Sequence, residues 1–178
     1  PYYPAFHISA GNDNSIDIRD KNLYFDAYVN YLKKIVLRNP DVFSDFDWKL
    51  YENEMYKHEK FANKSLSFYH GDLTIDNILW DGTKYTLIDP NYKADIWGSY
   101  LLDLSKLYQE TRFDKEELFR ELQSQIKKKF AFSDTNMRFL DLLEISHYIR
   151  MMSYVRKFKD IYSLKQLRMQ AIYKNILF

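Results

Sequence analysis

Three oxygen-bearing side chains, Asp72, Asn77 and Asp89, have types and spacing that could do chemistry together. Mg2+ prefers hard oxygen ligands, usually one or two carboxylates completed by phosphate oxygens and water. A further carboxylate, held off the metal, can orient a substrate hydroxyl and accept its proton. Phosphoryl transfer uses these parts: a base Asp, an Asn a few residues later, and a second Asp at the metal. The trio therefore indicates phosphoryl transfer from a nucleotide.

A β-hairpin is the element that would bring the trio together. The chain leaves a polar loop that begins at His70 and enters two apolar runs, residues 78–80 and 85–88. Asp81-Gly82 stands between these runs, and such a pair predicts a hairpin because glycine accepts the positive φ of tight turns. The second run ends on Asp89, so the hairpin is expected to return Asp89 to the loop that carries the other two side chains.

At this point the sequence resembles a known family of small-molecule kinases. Protein kinases separate the catalytic Asp from the Asn by four residues, and Asp72 and Asn77 have the same separation. The residues that carry the closer resemblance read His70-Gly71-Asp72-Leu73-Thr74-Ile75-Asp76-Asn77-Ile78-Leu79, followed by Leu87-Ile88-Asp89-Pro90. This pattern is similar to the aminoglycoside phosphotransferase and choline kinase family, whose fold is protein-kinase-like. The resemblance covers residues 66–108.

The resemblance implies a role for each of four residues. Asp72 would be the catalytic base, while Asn77 and Asp89 would bind Mg2+ and through it ATP or another nucleoside triphosphate. Asp103, in Leu102-Asp103-Leu104-Ser105, matches an Asp that buttresses the catalytic loop, with Ser105 replacing a small Ala. His70 is expected to hold the loop by a hydrogen bond rather than to act as an acid or a base.

The fold class that we predict is α+β and mainly helical. Residues 1–178 would form a single kinase-like C-terminal lobe with one small β-hairpin at the catalytic loop, after an irregular lead-in at 1–19. A kinase-type Gly-rich loop and a Val-Ala-Ile-Lys-like strand are not found in the sequence. We therefore expect the N-terminal nucleotide lobe to be absent from this chain, which would then have little kinase activity alone.

Charge and composition limit the partners. Twenty-six basic and 25 acidic residues give a net charge of +1, which predicts no bulk attraction to nucleic acid or to a membrane. The chain has no cysteine, as a reducing compartment favours, and we expect a cytoplasmic protein. The many aromatic residues, 16 Tyr and 13 Phe, are read as core packing rather than as a cage for a quaternary ammonium.

Periodicity predicts helices on both sides of the hairpin. One helix should run from Asp20 to Asn39-Pro40, and a second should be capped by Asp47. After the hairpin, helices are expected over 100–109, from a capping box at residues 114–117, from Ser133 or Asp134, and from Ser163. His58 is expected on a helix surface and His147 in the core with a hydrogen bond.

The loop after the hairpin offers candidate substrate contacts at Asn91, Tyr92, Asp95 and Trp97, although Trp97 fits a core position better. The acceptor is open. Pro90 departs from the residues that commonly follow this Asp in the family. The Ile88-Asp89-Pro90 form is similar to family members of sugar metabolism, which favours a sugar-like hydroxyl. An aminoglycoside and a choline-like compound are the alternative acceptors. The alternative function is that of a non-catalytic module of the same fold, which either binds nucleotide or metal or is regulatory.

Overall fold

The computed structural model describes residues 21–67, 69–91, 97–155 and 159–177, so the lead-in expected at 1–19 lies outside the described residues. Within these ranges the chain is mainly helical with one antiparallel two-stranded sheet, which confirms the α+β class. The elements, in chain order, are α1 Lys21–Arg38, α2 Trp48–Lys57, α3 Glu59–Lys64, β1 Ile78–Trp80, β2 Tyr85–Leu87, α4 Tyr100–Thr111, α5 Glu116–Lys129, α6 Asp134–Val155 and α7 Lys159–Leu177. None of the helices in the described ranges is both long and apolar enough to cross a membrane.

The core is built around α6, which packs against α1, α2, α4 and α7. At its centre the indole of Trp97 is fully buried. Trp97 contacts the rings of Phe25 at 5.3 Å and Tyr28 at 5.5 Å, while Phe139 stands 6.3 Å away. These inclined ring pairs favour the positive edge of one ring against the negative face of another. Trp97 is therefore a core residue, as predicted, and most aromatic side chains in the described ranges lie in this core or pack against it.

The first two helices begin and end where local chemistry dictates. α1 ends at Arg38, just before Asn39-Pro40, because the residue before a proline avoids helical geometry. Asp47 caps α2 by accepting a hydrogen bond from the backbone N–H of Leu50 at 3.0 Å. Both features were predicted from the sequence. Every residue from 48 to 64 except His58 is helical, so this part of the chain contains no strand.

Three helix-related predictions were wrong. Asp114 does not cap α5, whose preceding residue is Lys115; its carboxylate instead accepts a hydrogen bond from Arg168 on α7 at 2.8 Å. The last helix begins at Lys159, earlier than the predicted Ser163. His58 is buried rather than exposed and stacks on Phe139 at 4.9 Å, and this burial lowers its pKa.

Candidate functional site

The predicted hairpin is present and places Asn77 at its base. β1 and β2 pair as Ile78 with Leu87 and Trp80 with Tyr85. One residue further down, the N–H of Ile88 donates to the carbonyl oxygen of Asn77 at 3.0 Å. The register therefore brings the end of β2, and Asp89 after it, back to the loop from which β1 leaves.

Gly71 allows the loop that begins at His70 to lie against the segment after the hairpin. Its φ is +81°, a region that glycine enters without steric cost. The N–H of Asn91 donates to the carbonyl oxygen of His70 at 2.7 Å. A Cβ atom on Gly71 would lie 2.1 Å from the carbonyl oxygen of Asn91. No residue with a side chain fits here without displacing one of the two segments.

Asp103 binds the backbone of the loop, as expected of a residue that buttresses it. Its Oδ2 accepts a hydrogen bond from the N–H of His70 at 2.6 Å, and its Oδ1 accepts one from the N–H of Gly71 at 3.0 Å. Burial raises the pKa of this carboxyl, and the two N–H groups oppose that rise. Both carboxylate oxygens are thereby engaged with the loop backbone.

His70 ties the loop to the end of β2. Its side chain is buried, and Nε2–H donates to the carbonyl oxygen of Ile88 at 2.7 Å. The carbonyl accepts only, so this bond selects the tautomer with the proton on Nε2. The geometry agrees with the predicted role of His70 as a residue that holds the loop.

Asn77 is oriented by its own loop. Its Nδ2 donates to the carbonyl oxygen of Asp72 at 2.8 Å. Because the amide nitrogen is committed in this way, the amide oxygen is the atom that can face a cation. The side chain of Asp72 is 46% exposed, so a carboxylate that could accept a proton stands open to solvent above a fixed backbone.

Asp89 follows β2 with a φ of +51°. Few non-glycine residues adopt this left-handed conformation, and Asp and Asn do so most readily. Hydrogen bonds bracket it, since Ile88 on one side binds Asn77 and Asn91 on the other side binds His70. The backbone of Asp89 is therefore held beside the loop, and its side chain is exposed.

Lys106 is a residue of this site that the sequence analysis missed. Its Nζ lies 3.6 Å from Oδ1 of Asp72, although its own side chain is only 14% exposed. Nζ also donates to Oε1 of Gln109 at 2.9 Å. A signal was available, because residue 106 lies one helical turn after Asp103 and residues three apart share a helix face. The face of α4 that carries Asp103 therefore also places the Lys106 ammonium beside Asp72.

His147 anchors α4 to α6 behind the site and confirms the predicted hydrogen-bonded core histidine. Its Nε2–H faces the carbonyl oxygen of Leu102 and the hydroxyl of Ser105, each at 3.0 Å. Burial lowers the pKa of His147 well below its ordinary value, so the ring is neutral. Ser105 contributes its hydroxyl to this contact.

The structure describes two of the four residues that were expected to contact substrate. Asn91 is exposed beside the loop, Trp97 belongs to the core, and Tyr92 and Asp95 lie outside the described residues. The described part of the chain contains no cluster of three or more His, Cys, Asp or Glu side chains that could hold a metal alone. A shell of one carboxylate, one carboxamide and nucleotide oxygens, as expected here, is a different kind of site.

Comparisons with known proteins found no relative: no family model, no curated protein and no solved structure matches the chain.

Proposed function

We propose that this chain is the catalytic lobe of an ATP-dependent phosphotransferase that transfers the γ-phosphoryl group to a hydroxyl of a small molecule. The observation that carries the proposal is the double clamp of Asp103 on the backbone of His70 and Gly71. It fixes the residue immediately before Asp72 and leaves the Asp72 carboxylate exposed. Such a rigid backbone below an open carboxylate suits a residue that must position a reacting hydroxyl.

In this proposal Asp72 orients the acceptor hydroxyl and takes its proton. The acceptor oxygen forms a bond to the γ-phosphorus, while the bond from that phosphorus to the β–γ bridging oxygen breaks and ADP leaves with the electron pair. Asn77 and Asp89 would hold Mg2+, and the hard oxygen donors that they offer fit that ion. When bound, Mg2+ supplies charge neutralisation to the phosphate oxygens.

The nucleotide clamp would come from another part of the protein. Residues 21–65 form α1, α2, α3 and short connections, so none of them builds a strand-rich lobe of the kinase type. We propose that an N-terminal lobe of the same protein covers the phosphates. This chain alone would then bind nucleotide weakly and transfer phosphate poorly.

For the acceptor we propose a sugar-like hydroxyl compound. The support is the resemblance of Ile88-Asp89-Pro90 to family members of sugar metabolism. Aminoglycosides and choline-like compounds are the competing acceptors. A panel of hydroxyl acceptors with ADP release as the readout, in the complete protein, distinguishes the three classes.

The decisive experiment compares Asp72→Asn with Asp76→Asn in the complete protein. Asp76 is the matched control, because it is an exposed Asp in the same loop. Asp72→Asn should lower kcat about 10²- to 10⁴-fold and leave Mg2+-dependent ATP binding within a few-fold, whereas Asp76→Asn should change neither. Turnover by Asp72→Asn at the wild-type rate would refute the proposal.

A magnesium titration with and without ATP tests the alternative of a non-catalytic module. The proposed enzyme binds ATP with an affinity that rises with Mg2+. A module that has kept only the fold would show no metal-linked nucleotide binding in the complete protein, and that result would also refute the proposal.

A further inference from the structure

Lys106 is placed next to the carboxylate to which the proposed reaction assigns the proton. Its Nζ is 3.6 Å from Oδ1 of Asp72. The reacting oxygen and the γ-phosphorus must approach to about 3–3.5 Å beside that carboxylate. Lys106 therefore lies close to the place where the proposed reaction puts the transferring phosphoryl group.

The placement differs from that of an ordinary surface ion pair. Arg120 and Glu116 on α5 also pair, but their side chains are 75% and 68% exposed, and such pairs contribute little. The Lys106 side chain is 14% exposed. Its ammonium is directed by Gln109, which accepts from Nζ at 2.9 Å and is itself 3% exposed. The cation is thus held in place before any substrate arrives.

Gln109 is fixed in turn, which makes the arrangement directional. Its Nε2 donates to Sδ of Met151 on α6 at 3.3 Å. With the amide nitrogen committed to Met151, the amide oxygen is turned to Lys106. The chain from α6 through Gln109 to Lys106 therefore aims one positive charge at Asp72.

We propose that Lys106 is a further catalytic residue, whose ammonium contacts the phosphoryl group while it passes from the nucleotide to the acceptor. The inference rests on the proposed function. As the acceptor oxygen bonds to phosphorus and the bridging oxygen departs, negative charge is spread over the transferring group. A fixed cation at that place stabilises the transition state more than the bound substrates.

The test compares Lys106→Met, Lys106→Arg and Lys128→Met in the complete protein. Lys128 is an exposed lysine on α5 and serves as the control. Lys106→Met should lower kcat about 10²- to 10³-fold with the KM values for ATP and acceptor within about threefold, and Lys106→Arg should recover part of the loss. Lys128→Met should behave as wild type. An unchanged kcat in Lys106→Met, or a loss confined to KM, would overturn the inference.

A binding measurement without turnover gives the second arm. ADP, Mg2+ and aluminium fluoride together imitate the transferring phosphoryl group, and ADP with Mg2+ alone does not. Lys106→Met should bind the fluoride complex at least about tenfold more weakly than wild type, while its affinity for ADP with Mg2+ and its melting temperature remain unchanged. Equal tightening by fluoride in wild type and Lys106→Met would show that the residue only orients Asp72 and would overturn the inference.

The two proposals fail in different ways. If the wild-type protein neither turns over nor tightens on fluoride, the phosphotransferase assignment is wrong and Lys106 loses its role with it. If Asp72→Asn abolishes turnover and Lys106→Met does not, the assignment stands and only the role of Lys106 is refuted.

Discussion

The carbonyl oxygen of Asn91 lies 2.1 Å from the point that a Cβ atom on Gly71 would occupy. Gly71→Ala must therefore separate the loop from the segment after the hairpin, and the hydrogen bond between Asn91 and His70 goes with that contact. Adding the strain of a side chain at positive φ, we expect a loss of about 2–4 kcal/mol in the free energy of unfolding. Urea denaturation measures it.

Gly82→Ala is the matched control for Gly71→Ala. Gly82 also has a positive φ, +95°, but a Cβ atom there would have no neighbour within 4 Å. Only the backbone strain remains, about 1–2 kcal/mol. If Gly82→Ala costs as much as Gly71→Ala, the close approach of Asn91 does not determine the need for glycine at position 71.

Asp103→Asn should loosen the loop without removing a helix. The amide keeps one acceptor oxygen but replaces the other with a donor, so one of the N–H groups of His70 and Gly71 loses its partner. A buried N–H without a partner costs about 1–3 kcal/mol. Hydrogen exchange at these two amides should accelerate at least about tenfold relative to wild type, while exchange in α6 stays unchanged. Unaltered exchange at both amides would contradict the clamp.

The local part of the site could be predicted from the sequence because the hairpin and the loop are encoded by neighbouring residues. The Asp-Gly turn and the apolar runs set the register, and the register returns Asp89 to Asn77. Asp103 was predicted from the resemblance alone, and its contacts are those expected of a buttress. Its part in catalysis stays a prediction.

Two of the errors, at His58 and Asp114, and the omission of Lys106 concern residues whose partners are distant in sequence. His58 looked exposed because its neighbours are charged, but Phe139 from α6 covers its ring. Asp114 had the spacing of a cap, but a guanidinium from α7 binds it more strongly than a backbone N–H would. Lys106 was overlooked because its position beside Asp72 depends on which face of α4 contacts the loop. Tertiary contacts decide all three, and local patterns do not contain them.

His147 should make the chain less stable as the pH falls. Its pKa in the folded chain is well below the ordinary 6.5 because the ring is buried. The unfolded chain therefore binds the proton first, and stability is lost progressively as the pH falls below about 6.5. His147→Gln keeps an N–H donor for Leu102 without titrating. Relative to this variant, wild type should lose about 1–2 kcal/mol between pH 7 and pH 5 in urea denaturation; a constant difference would contradict the prediction.

Glu144 should have the opposite effect, at higher pH. Its side chain is fully buried on α6 beside Arg112, which also pairs with Asp141. Two carboxylates thus share one guanidinium inside the protein, and burial raises the pKa of Glu144 to about 8. A pKa that is higher in the folded chain means that folding retains a proton, so stability falls as the pH rises from about 4.5 to about 8.

Glu144→Gln removes this titration and imitates the neutral acid. Between pH 5 and pH 8, wild type should lose on the order of 3 kcal/mol relative to Glu144→Gln, since each pKa unit corresponds to about 1.4 kcal/mol. Glu117→Gln, an exposed glutamate at the start of α5, should show no such change. Urea denaturation at the two pH values measures all three chains. If the stability of wild type and of Glu144→Gln changes equally between pH 5 and pH 8, the prediction is wrong. Glu144 would then stay ionised over the whole range, because Arg112 holds both carboxylates in the charged form.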